Sequence, residues 1–158
     1  MLNQDENSSS IIEKLACNEE TIARLYKGYA DAFPILREFW ISLASEEMKH
    51  ASWIKNLGVE AREKPIYIDE QRFNIVAIQS FTNYLGKELA KVNERKIPLI
   101  EALSITFQIE QSLIESKFLE VFQTDSVELK HTLTKLLNDT VAHRDKAKEK
   151  LKTYKENL

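Results

Sequence analysis

The stretch LREFWISLASEEMKHASWIKNL, residues 36–57, decides how the chain is read. Leu36, Trp40, Leu43, Ile54 and Leu57 recur every three or four residues, the spacing of one buried face of an α-helix. Carried through the middle of the stretch, that face takes in Glu47 and His50. A carboxylate and an imidazole one turn apart on an apolar face need a chemical reason, because burying an unpaired charge is costly.

The rest of the chain supports a helical reading. Its 158 residues suffice for one domain with a substantial core, and three glycines and three prolines leave little turn material for a sheet. The expected organisation is a flexible arm over residues 1–9, ending in an N-cap at Ser9 or Ser10, and a single domain over 10–158. A net charge of −3 gives no basic footprint for nucleic acid. No apolar run approaches the roughly 20 residues that span a bilayer. MLNQDENSSS lacks the basic and apolar regions of a signal peptide, so a cytoplasmic location is expected, with neither nucleic acid nor membrane as partner. The single cysteine, Cys17, excludes an intramolecular disulfide and a CxxC knuckle, and reads as a small residue at the core edge.

Five helices are predicted. The first runs from about Ser10 to Phe33 with a stripe of Ile12, Leu15, Glu19, Ile22, Tyr26, Tyr29 and Phe33, and Pro34 ends it. The second runs from about Ile35 to Leu57, with Gly58 as its C-cap. A third, N-capped by Asp69 after the polar stretch around Pro65, reaches about Glu94. Pro98 opens the fourth, whose stripe is Ile100, Leu103, Phe107, Glu110, Ile114, Phe118 and Val121. Thr124–Asp125–Ser126 form the next break. The fifth carries Leu129, Leu133, Leu136, Thr140, His143, Ala147, Leu151 and Tyr154, and its lysine-rich last turns suit a helix C-terminus. Short connections make helices one and two, and four and five, antiparallel neighbours. The third, at ~1.5 Å per residue, is long enough to act as a crossover, so that helices two and four run parallel.

The polar residues on these stripes form a pattern. Glu19 precedes Glu47 and His50 of the next helix, and Glu110 precedes Thr140 and His143 of the next. The halves read as a degenerate repeat, Glu then Glu-x-x-His, and Glu then Thr-x-x-His. Matched distances from the turns put the groups at similar depth, where several carboxylates would repel one another. Divalent cations would relieve that repulsion, and the i, i+3 spacing lets one Glu and one His reach the same ion. Taken singly, His50 also reads as a satisfied core histidine and Glu19 as a snorkelling residue. His131 lies off the stripe, and Glu20, Glu46, Glu88, Glu115 and Asp139 read as solvated-face charges.

The segment EETIARLYKGYA at 19–30, with Tyr26 and Ala30 seven and eleven residues after Glu19, and the segment WISLASEEMKHA at 40–51 resemble the rubrerythrin branch of the ferritin-like di-iron proteins. The likeness is closest over helices one and two, looser over four and five, and poor over the third. It implies an all-α, ferritin-like antiparallel four-helix bundle with a long helical crossover, holding two irons, with manganese or zinc as alternatives. By that analogy Glu19 and His50 serve one metal, Glu110 and His143 the other, and Glu47 bridges them. Thr140 stands where the family has a second bridging glutamate, which would leave the second metal weak or absent. The implied activity is reduction of peroxide or reaction with dioxygen. Tyr26 is the candidate catalytic residue, relaying protons with Tyr29, although tyrosines on such a face also pack as core. With no paired CxxC segments for a rubredoxin-type iron, electrons would come from a separate donor, and a second copy of the chain is expected as partner. The other reading is a degenerate bundle that has lost redox chemistry and serves as a binding or structural module.

Overall fold

The computed structural model describes residues 4–60, 63, 67–69 and 75–158. It is all-α apart from one short ladder. The five helices are α1 (Gln4–Ala32), α2 (Arg37–Glu60), α3 (Ile75–Asn93), α4 (Leu99–Glu115) and α5 (Val127–Glu156). The strands β1 (Tyr67–Ile68) and β2 (Phe122–Gln123) pair antiparallel, Tyr67 against Gln123 and Ile68 against Phe122. They tie the α2–α3 connection to the α4–α5 connection, and the Phe122 ring is buried beneath them.

Several boundaries differ from the sequence expectation. Helix α1 is described from Gln4, so Ser9 and Ser10, expected to cap it, lie within helix, and residues 1–3 of the expected arm lie outside the described residues. Gly58 lies inside α2 rather than capping it, and no described glycine has positive φ. Its missing side chain admits Ile12 instead: a Cβ there would lie 3.2 Å from Ile12 Cγ2. Helix α4 stops at Glu115, short of the expected Val121, because Lys117 turns the backbone left-handed (φ 53°) into a 3-10 turn at Phe118–Val121. Pro65 lies outside the described residues, as does the stretch 70–74 after Asp69, and α3 is described from Ile75.

Other signals hold. Pro98 caps α4, and Ser126 caps α5, its Oγ accepting from the Leu129 N–H at 3.4 Å. The α5 stripe is buried at Leu129, Leu136, Thr140, His143 and Ala147. Helix α3 packs on α1, where Thr82 Oγ1 donates to Asn18 Oδ1 at 2.7 Å. Close approach is permitted by Gly28, whose hypothetical Cβ would sit 2.7 Å from Val92 Cγ1.

Side-chain contacts give the helix directions. Glu46 meets His143 and His50 meets Asp139, so α2 and α5 run antiparallel. Trp40 Nε1 donates to Thr106 Oγ1 at 3.1 Å and, farther along both helices, Glu47 lies beside Glu110, so α2 and α4 run parallel. The apolar interior falls into two clusters. One gathers Ile22–Ala30, Trp40–Ala44, Leu85 and the α4 face from Ala102 to Ile109; the other gathers Ile11–Ala16, Ile54, Ile78, Phe122 and Leu136. Between them, on three helices, lie Glu19, Glu47, His50, Thr140 and His143. Among the described residues no helix is long and apolar enough to cross a membrane.

Candidate metal centre

Glu47 is the hub of this polar belt. It is 1% exposed, and its two oxygens face two imidazoles: Oε2 lies 3.0 Å from His50 Nδ1 and Oε1 lies 2.6 Å from His143 Nδ1. The His50 contact is a hydrogen bond. The His143 contact is short but misaligned, leaving both atoms without a hydrogen-bond partner. The rings stack at 5.4 Å between centroids. One donor atom from each of Glu47, His50 and His143 fits within a 4.8 Å span, close enough to hold a metal ion.

Glu110, fully buried on α4, flanks this group. Its Oε2 lies 3.8 Å from His143 Nδ1, while its Oε1 accepts from Tyr26 Oη at 2.6 Å. Glu19, half-buried on α1, stands close enough to Glu47 for the two carboxyls to shift each other's ionisation. All five residues expected to ligate metal therefore converge, with Glu47, His50 and His143 in the tight group and Glu19 and Glu110 beside it. Tyr26 reaches the site through Glu110. Tyr29 does not: its buried hydroxyl has no hydrogen-bond partner and faces Glu88 and Tyr84.

Two site residues had been read as surface charges. Glu46 Oε2 lies 2.5 Å from His143 Nε2, and Asp139 Oδ2 lies 3.4 Å from His50 Nε2. Each imidazole has two nitrogens, and these carboxylates take the one turned away from Glu47. Such an outer partner fixes a ring's orientation and tautomer and strengthens it as a ligand. The signal was available: Glu46 directly precedes Glu47, and Asp139 directly precedes Thr140, its repeat counterpart. Elsewhere, Glu88 is buried rather than solvated and pairs with Lys91 at 2.9 Å. Glu20 pairs with Lys55, His131 is exposed as expected, and Cys17 is exposed rather than at the core edge.

The electrostatics follow from crowding. Burial would raise the Glu47 pKa, but the close contacts of its oxygens with His143, His50 and Glu19, and the charge on His50, outweigh it and hold the carboxyl well below the usual range. Glu110 is pushed up to about 8 by burial and by the charge on Glu47. Glu19 is raised by the same two causes. Burial alone would lower His143, yet Glu47 and Glu110 lift it to about 9. Burial also raises Tyr26, with Glu110 and Glu47 adding to the shift, so the phenol keeps its proton.

The donor set fits divalent cations on an independent ground. Among the described residues eight buried side-chain atoms have no hydrogen-bond partner, and four of them are here: Glu19 Oε2, Glu47 Oε1, Glu110 Oε2 and His143 Nδ1. Buried polar atoms are nearly always satisfied, so orphans gathered at one point suggest a missing partner common to them all. Thr140 fills no such role, since its Oγ1 donates to Leu136 O at 2.9 Å within its own helix. No protein-family model, curated protein or solved structure matches the chain.

Proposed function

We propose that the chain is a ferritin-like four-helix bundle of the rubrerythrin type that binds two divalent metal ions, iron by preference, and uses them to reduce peroxide or react with dioxygen. The observation that carries this reading is Glu47 between two imidazole Nδ1 atoms, one facing each of its oxygens. Glu47 would be shared between two ions, with His50 held to one and His143 to the other. Glu110 stands nearest His143 and would serve that ion, and Glu19 would serve the ion of His50. Imidazole nitrogens and carboxylate oxygens suit iron, manganese and zinc alike, and carboxylate-rich bundle sites favour iron and manganese.

Iron bound there would supply the electrons that break an O–O bond, replenished by a separate donor. The chain's own contributions are positional. Glu46 and Asp139 hold the outer nitrogens of His143 and His50, so that Nδ1 of each ring turns inward. Tyr26 occupies one Glu110 oxygen and leaves the other free to ligate. Because its phenol stays protonated, Tyr26 remains a hydrogen-bond donor to Glu110 and fixes the orientation of that carboxyl. The two apolar clusters flank the belt on either side.

A second reading is a bundle without metal. It is favoured by Thr140 and by the way Glu47, Glu46 and Asp139 already pair with the two imidazoles. Elemental analysis after anaerobic iron loading separates the two. About two ions per chain in the wild type, falling below one in Glu47→Ala, supports the metal reading, and peroxide consumption by the reduced protein then tests the chemistry. An equally low metal content in wild type, Glu47→Ala and His50→Ala leaves the non-metal module.

A further inference from the structure

A cavity of about 390 Å³ ends on the one position where the site departs from its own repeat. Its floor holds Asn18, Glu19 and Thr140; its walls are apolar, with Leu113, Phe118, Leu133 and Leu137 among them; and Lys117 and Lys130, both exposed, stand at its mouth. Small-molecule sites have this form, an apolar pocket of on the order of 300–1,000 Å³ with a few convergent polar groups. The left-handed turn at Lys117 ends α4 early and forms part of the opening.

We infer that this cavity takes a single-chain aliphatic carboxylic acid of about ten to twelve carbons, its head at the gap beside Thr140 and its tail along the apolar walls. The inference rests on the two-metal reading. Three observations give the ligand its chemistry. First, Thr140 occupies the place where the other half of the repeat supplies the carboxylate of Glu47, so the site is one carboxylate short. Glu19, Glu47 and Glu110 supply three of the four inner carboxylates that the repeat calls for, and Glu46 and Asp139 are held at the outer imidazole nitrogens, so the fourth would have to come from a ligand. Second, the floor offers a free donor. Asn18 is 3% exposed, its Oδ1 is fixed by Thr82, and its Nδ2 has no acceptor. Thr140 offers no competing proton, because its hydroxyl is committed to Leu136 O. Third, the size sets the length. At roughly 30 Å³ per non-hydrogen atom, a water's share of the liquid, the cavity holds about 13 such atoms, close to decanoate. At the mouth Lys117 pairs with Glu120 at 3.5 Å, and Lys130 adds a second positive charge that favours entry of an anion.

Mn²⁺ binding measured by titration calorimetry, with and without carboxylates at matched concentration, tests this without any turnover. Decanoate should tighten binding of the more weakly held ion at least tenfold, while acetate, having no tail, should leave it unchanged. Because coupling is reciprocal, Mn²⁺ should tighten decanoate by the same factor. From hexanoate to decanoate the affinity of the Mn²⁺-loaded protein for the carboxylate should rise by about fourfold per methylene, the value of one buried CH₂. Leu137→Trp, which fills the cavity from a half-exposed position, should remove the decanoate effect and keep Mn²⁺ binding. Thr140→Glu should do the same by supplying the missing carboxylate internally. If Mn²⁺ binds but decanoate has no effect, or acetate acts as well as decanoate, the inference is overturned and the metal reading survives. If Mn²⁺ binds under none of these conditions, both fall.

Discussion

Filling the site with metal must expel protons, and their number can be worked out from the positions of the side chains. Without metal, Glu110 titrates near 8 and His143 near 9, because the first is buried beside Glu47 and the second is held protonated by Glu47 and Glu110. At pH 7 both groups therefore carry most of a proton. Glu19, raised by burial and the Glu47 charge, adds a third to the extent that its pKa lies above 7. Glu47 adds none, being ionised already. A cation requires a carboxylate and a neutral imidazole, so loading at pH 7 should release between about two and three protons per chain. Calorimetric titration of Mn²⁺ in buffers of different ionisation enthalpy gives that number directly. The logarithm of the overall binding constant should therefore rise by about two to three per pH unit near pH 7 and flatten above pH 9. Binding accompanied by release of less than about half a proton at pH 7 would mean that neither Glu110 nor His143 is a ligand.

Other outcomes follow from the same coordinates. The raised pKa values of Glu110 and His143 stabilise the fold fully only below their unfolded values and lose that contribution as pH rises toward 8 and 9. The depressed pKa of Glu47 acts oppositely, so its contribution is lost as pH falls below the ordinary carboxylate range. Calorimetric melting of the metal-free protein should show Tm falling from pH 6.5 to 9 and again in acid, with saturating Mn²⁺ reversing the alkaline fall. Gly28→Ala should cost ~1–3 kcal/mol in urea unfolding, because its Cβ would collide with Val92 across the α1–α3 contact. Adding Val92→Ala should recover part of that loss, and metal stoichiometry should be unaffected. Tyr26→Phe leaves a buried Glu110 oxygen without its donor and should cost ~1–3 kcal/mol in the metal-free protein. In the iron-loaded protein it should slow peroxide consumption at unchanged iron content; an unchanged rate would remove Tyr26 from the chemistry.

The helices and their buried faces were legible because the signal is periodic and long. The α5 stripe from Leu129 to Ala147 is buried at every position its spacing marks except the half-buried Leu133, and the polar residues on it come with it. What depends on single contacts was not legible. Gly58 has the residue type of a C-cap, yet Ile12 of another helix needs the space, and the helix continues. The β1–β2 ladder has two residues per strand, too few for any alternation to register. Glu88 reads as solvated from its own helix, but α1 covers the face it occupies. Glu46 and Asp139 were missed for a different reason. Spacing places a side chain on a face, whereas an imidazole across the interface has a second nitrogen that seeks an acceptor just off that face.

The symmetry of the site bears on why Thr140 matters. Glu19 has its counterpart in Glu110, His50 in His143, and Glu46 in Asp139, the last two pairs at the same offset as Glu47 and Thr140. The outer pairs even cross over, α2's Glu46 holding α5's imidazole and α5's Asp139 holding α2's. Among these eight positions only the Glu47–Thr140 pair differs in chemical class. Keeping three buried carboxylates and two buried imidazoles opposes stability, since well-packed apolar residues of similar size are often at least as stable as buried ion pairs. A purely structural bundle would gain from replacing all of them. Here a single carboxylate is lost, and the cavity reaches the interior where it would have stood. Closing that position with glutamate would complete the metal site and shut the floor of the cavity in the same step. An intact ligand set and an open route to it therefore compete for one residue, and threonine leaves the route open.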